Sequence, residues 1–69
     1  MSYYRVCKIK NEQKETIDFK KFDNKEDAEH YAKNQSLIDG EHNYEIQKNE
    51  NGDFIAIKAY FKGNLITTI

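Results

Sequence analysis

Two turn signals, Asn51-Gly52 and Gly63-Asn64, constrain the fold of this chain more than any other feature. They separate three short apolar runs, Tyr44 to Ile46, Phe54 to Phe61 and Leu65 to Ile69. Both pairs tolerate positive φ, which tight turns between antiparallel strands demand. The pattern predicts a three-stranded antiparallel meander.

Ahead of the meander, Tyr3 to Lys10 mixes β-branched and aromatic residues with Arg5, Lys8 and Lys10, and reads as a strand. Asn11 to Glu15 is a polar connector. Thr16 to Lys20 follows as a second strand, with Ile17 and Phe19 on one face. A loop this short favours a hairpin between the two. The next segment has a helix signature. Asn24 is a good N-cap, and Glu26 and Asp27 set negative charge at the positive end of the helix dipole. Ala28, Tyr31, Ala32 and Gln35 keep helical spacing, and Glu29 can pair with Lys33 one turn on. The run from Phe22 to Ala28 is a common strand-to-helix transition that capping physics rewards, and it points to no family. Gly40 is the expected C-cap, with Leu37 and Ile38 tucked under the sheet.

The expected fold is therefore α+β in ββαβββ order: an antiparallel sheet of four to five strands with one α-helix on one face. All 69 residues make a single domain. The expected core takes Val6, Ile17, Phe19, Phe22, Ile46, Ile55, Ile57 and Phe61 from the strands. From the helix and its end it takes Ala28, Tyr31, Ala32, Leu37 and Ile38. A chain this short buries only about 60% of its unfolded surface, so the core is thin.

Strict alternation along the fourth strand puts Ile55, Ile57, Ala59 and Phe61 under the helix. Phe54, Ala56, Lys58 and Tyr60 then lie on the uncovered face. The first strand adds either Tyr3, Arg5, Cys7 and Ile9 or Tyr4, Val6, Lys8 and Lys10, and both registers stay open. The expected interaction surface is Tyr3, Arg5, Phe54, Lys58 and Tyr60. Tyrosine suits such a surface because it is large and rigid with a polar tip.

Two functions compete for that face. The first is a non-enzymatic protein-interaction module that binds a protein partner or a second copy of itself, through the open face or an edge strand. Leu65 to Ile69 is short and stands last in the chain, which makes it a candidate pairing edge. The alternative is a nucleic-acid-binding accessory protein, with aromatics stacking on bases and Arg5, Lys8, Lys10 and Lys58 following phosphates. A net charge of −1 gives no global pull toward polyanions.

Catalysis finds little support. Cys7 is the lone cysteine, and His30 and His42 are the only histidines. A thiol nucleophile needs a base and an electropositive setting. Zinc would require Cys7, His30 and His42 to converge without any short ligand pair. No metal, cofactor or small-molecule substrate is expected, and a pocket of the usual ~300 Å³ or more looks out of reach for so small a chain. No apolar run approaches the ~20 residues of a membrane helix. The single cysteine and the charged start of the chain point to a reducing, cytoplasmic setting. The Lys-, Asn- and Ile-rich composition resembles an AT-rich coding background. Small domains of this kind are often phage or mobile-element proteins that modulate a host protein.

Overall fold

The computed structural model describes residues 3–10 and 15–68. Its elements are β1 (Tyr4–Lys10), β2 (Glu15–Phe22), α1 (Lys25–Asp39), β3 (Asn43–Glu50), β4 (Asp53–Phe61) and β5 (Asn64–Thr68). The order is ββαβββ, and the five strands form one antiparallel sheet arranged β2-β1-β3-β4-β5. The expected connector at 11–14 and the last residue of the final strand, Ile69, lie outside the described residues. Strands β2 and β3 both run antiparallel to β1. They are therefore parallel to each other, and α1 carries the chain across the strand between them.

The helix forms where its caps predict. Asn24 is extended (φ −131°, ψ 156°), its side-chain oxygen accepts from the Asp27 N–H at 2.8 Å, and its Nδ2 donates to the Asp27 carboxylate at 3.0 Å. At the far end Gly40 takes a left-handed conformation (φ 71°) and its N–H closes on the Ser36 carbonyl. The buried stripe is Ala28, Ala32 and Ser36, one residue per turn. Small side chains let the helix axis sit close to the sheet. Leu37 and Ile38, expected inside, are 64% and 76% exposed, because the stripe continues through Ser36 and they fall on the flank.

Ser36 is wholly buried and joins two elements. Its hydroxyl donates to the Lys33 carbonyl at 2.9 Å and accepts the Gly63 N–H at 3.0 Å. That contact fixes the helix end against the β4–β5 turn. The turn itself is Lys62-Gly63 (φ 52° and 79°), one residue earlier than the Gly63-Asn64 expected, and it matches Asn51-Gly52 (φ 52° and 88°). Both are two-residue loops with positive φ at both central positions, the twist that antiparallel strands prefer. A Cβ at Gly63 would meet Leu37 Cδ1 at 3.1 Å in a backbone region hostile to side chains. Gly63→Ala is therefore expected to cost about 1–2 kcal/mol in urea unfolding, while Gly52→Ala, with open space around it, pays only the backbone strain.

Under the helix lie Val6, Tyr44, Ile46 and Tyr60, joined by Ala28 and Ala32 and flanked by Tyr4, Phe22, Tyr31 and Ile57. Three of the antiparallel ladders carry one unpaired extra residue. Lys8 and Ile9 face Asp18 and Thr16, leaving Ile17 over. Ile46 and Gln47 face Lys58 and Ala56, leaving Ile57; Ala59 and Tyr60 face Thr67 and Leu65, leaving Ile66. Such bulges reverse the alternation of a strand and sharpen its twist.

The Ile57 bulge corrects the expected faces of β4. Beyond it, Tyr60 turns toward the helix and is 9% exposed, and Lys58 pairs with Glu29 of α1. Ala59 and Phe61 turn the other way. Ile17, Phe19 and Ile55, also expected in the core, are 45–51% exposed. Phe19 pairs with Cys7 and lies with Arg5 on the helix-free face, and the single helix leaves Ile17 and Ile55 uncovered.

Candidate interaction surface

Alternation in β1 settles its register: Val6 packs under the helix, so Tyr3, Arg5, Cys7 and Ile9 belong to the helix-free side. Arg5 organises that side. Its Nε donates to Gln47 Oε1 at 2.7 Å, and Gln47 Nε2 donates to the Glu45 carboxylate at 2.7 Å. The guanidinium lies 3.6 Å from the centre of the Phe54 ring and 5.3 Å from that of Phe19. Tyr3 meets Phe54 edge-on, with centres 5.8 Å apart. Lys21, directly across the ladder from Arg5, holds its ammonium 5.2 Å from the Tyr3 ring.

Three of the five expected surface residues thus gather: Tyr3, Arg5 and Phe54. Lys58 and Tyr60 do not, since the bulge sends both to the helix side. Phe19 and Lys21 take their place. Their membership depends on how β2 pairs with β1, which the alternation within either strand does not encode.

The basic residues divide as well. Lys8 reaches Asp39 at 3.4 Å on the helix side, and Lys58 is engaged by Glu29 there, while Arg5 stands on the opposite face. Lys10, two residues on from Lys8 in β1, falls on the same side, so Arg5 alone of the four is set apart, and Lys8 and Lys58 are each engaged by a carboxylate.

The sheet has two edges of unequal character. On β2, the Phe19 N–H donates to the Asp18 carboxylate at 2.8 Å, and Lys20 and Lys21 follow. Local capping and charge both discourage an incoming strand. On β5, Asn64 to Thr68 carries no charged residue. Leu65 and Ile66 there are 49% and 48% exposed, and Leu37 of the helix lies against the preceding turn, 64% exposed.

A cluster at the end of α1 centres on Asp39. Its carboxylate accepts from the Tyr44 hydroxyl at 2.8 Å and the Glu41 N–H at 3.1 Å, and lies 3.1 Å from His42 Nδ1. The Tyr44 hydrogen bond, followed by those of His42 and Glu41, holds the Asp39 carboxyl well below the usual carboxylate range, against the opposing effect of burial. Burial, with the Asp39 charge beside it, pushes the Tyr44 phenol up. Asp39, Glu41 and His42 have potential ligand atoms within 4.8 Å of one another. The Asp39 oxygens are already engaged by Tyr44 and His42, so the arrangement reads as a clamp between helix end and β3.

A groove of about 320 Å³ opens between α1 and the β1–β2 hairpin, lined by Val6, Lys8, Asp18, Lys20, Tyr31, Gln35 and Tyr44 among others. This corrects the expectation that so small a chain lacks a pocket of that size. It exists because a single helix leaves one flank of five strands uncovered. Its lining offers no nucleophile beside a base.

Cys7 is fully buried within β1, and burial, the largest influence, raises its thiol above the ordinary value. That is the setting of an inert cysteine. His30 lies exposed on the helix and His42 is bound to Asp39, so Cys7, His30 and His42 do not form a cluster. Among the described residues no helix is long and apolar enough to cross a membrane. No protein-family model, curated protein or solved structure matches the chain.

Proposed function

We propose that this protein is a non-enzymatic interaction module that pairs with a second copy of itself through the β5 edge. The observation that carries the reading is the inequality of the two edges. Both edges expose apolar side chains, but on β2 Ile17 and Phe19 stand among Asp18, Lys20 and Lys21, whereas Leu65 and Ile66 of β5, with Leu37 beside them, have no charged neighbour in their strand. Antiparallel pairing of β5 with its own copy is isologous, so one strand serves both partners. It supplies main-chain hydrogen bonds to an open edge and covers apolar side chains that a core this thin leaves out. The lone buried thiol of Cys7 fits a reducing, cytoplasmic setting. A nucleic-acid role is the weaker alternative, because Lys8 and Lys58 are committed to carboxylates on the helix side.

Sedimentation equilibrium from about 10 to 500 µM tests the proposal over the affinity range of weak self-association. The wild type is expected to move from monomer toward dimer. Ile66→Glu is expected to remain monomeric with an unchanged circular dichroism spectrum. A wild type that stays monomeric throughout, or an Ile66→Glu variant that associates equally well, sinks the idea. Tyr60→Glu is no probe of this surface, since Tyr60 belongs to the core.

A further inference from the structure

The helix-free face carries an arrangement that packing alone does not account for. Arg5 and Lys21 are direct cross-strand neighbours of like charge, a pairing that destabilises a sheet. Among the described residues, neither has a carboxylate within ion-pair distance. Arg5 is nevertheless held firmly. Gln47 takes its Nε, Phe54 backs its plane, and Phe19 flanks it, while no described residue accepts from its two Nη groups. Glu45, the acid nearest in the ladder, is turned to Gln47 and serves to fix the amide that fixes Arg5.

The geometry points to Arg5 and Lys21 as the receptor for a side-chain carboxylate of an acidic peptide segment in a partner protein. A guanidinium with Nε engaged and both Nη groups open presents a planar donor pair, which matches a carboxylate and needs little further ordering. Lys21 adds a second positive charge beside it. Phe19, 49% exposed, supplies apolar area for the residue next to the acid. Single-stranded nucleic acid fits less well. It calls for a longer run of cations and for free ring faces, and here Phe54 is covered by Arg5 and met edge-on by Tyr3. This site stands apart from β5 and does not depend on self-association.

The test is titration of the isotope-labelled protein with the capped hexapeptide GLEELG and its carboxylate-free counterpart GLQQLG, followed by NMR. The first is expected to shift the Arg5 Nε–H, the Gln47 side-chain amide and the Phe19 ring; the second leaves them in place. Arg5→Gln is expected to weaken binding roughly tenfold or more, and Arg5→Lys to restore only part, because an ammonium lacks the planar pair. Lys21→Gln, at an exposed position, provides a second variant and is expected to weaken binding severalfold with the fold intact. Equal shifts from both peptides, unchanged affinity in both Arg5→Gln and Lys21→Gln, or tighter binding of a short oligothymidylate than of GLEELG each overturns the assignment.

Discussion

Ile46→Ala is expected to remove about 3 kcal/mol of stability, since Ile46 is the largest fully buried side chain among the described residues. Ile46 is fully buried in the centre of β3, beneath the helix and between Val6 and Lys58 of the neighbouring strands. Deleting its outer carbons removes transfer free energy and leaves a cavity that a sheet cannot readily collapse, and such substitutions cost about 2–5 kcal/mol. At roughly 0.05–0.15 kcal/mol per residue, a domain of this length holds only about 3–10 kcal/mol in all. The variant should therefore melt roughly 12–24 °C below the wild type, and a large unfolded fraction should be visible at 37 °C. A shift of only a few degrees would mean that the sheet centre is looser than its packing suggests.

The second large effect is expected at Asp39. Asp39→Ala strands the buried Tyr44 hydroxyl without its acceptor and releases His42 and the Glu41 N–H, for an expected loss of about 2–3 kcal/mol. Asp39→Asn keeps an acceptor for Tyr44 and should lose about half as much. The pH dependence separates charge from shape. The folded-state carboxyl sits below the ordinary Asp value of about 3.9, so the charged form favours the native state. This contribution is complete above that unfolded value and disappears as pH falls from about 4 toward the lower folded value. Chemical denaturation at pH 6 and at pH 2.5 is the direct check. The gap between wild type and Asp39→Asn should be wide at the higher pH and narrow at the lower. A constant gap would show that the carboxylate charge contributes nothing.

What the sequence discloses, and what it conceals, follows from the range of each signal. Caps and turns are local, and Asn24, Gly40 and Asn51-Gly52 each do what their own chemistry dictates. Element order is equally legible, since it needs only periodicities and the signals between them. The faces of β4 are not legible, because alternation assumes that every residue has a partner across the ladder. At Ile57 that assumption fails, and Lys58 and Tyr60 move from the expected open face to the helix side. Nothing about an isoleucine among apolar neighbours announces a bulge. Hydrophobicity misleads in the last helical turn for a related reason: the stripe continues through small Ser36, whose hydroxyl is matched to Gly63, and bypasses the larger Leu37 and Ile38. The Arg5 cluster was half visible. Tyr3, Arg5 and Phe54 are marked by their chemistry, whereas Phe19 and Lys21 join them only once β2 is aligned on β1.

The extra residue at Ile66 sets a limit on how long two copies would stay together. The β4–β5 ladder is interrupted there, in the middle of a five-residue strand, and the bend a bulge puts into β5 would leave an arriving strand only short straight pieces to either side. A seam of that kind opens readily, and subunits joined by it would trade partners quickly in solution rather than remain married for the life of the protein.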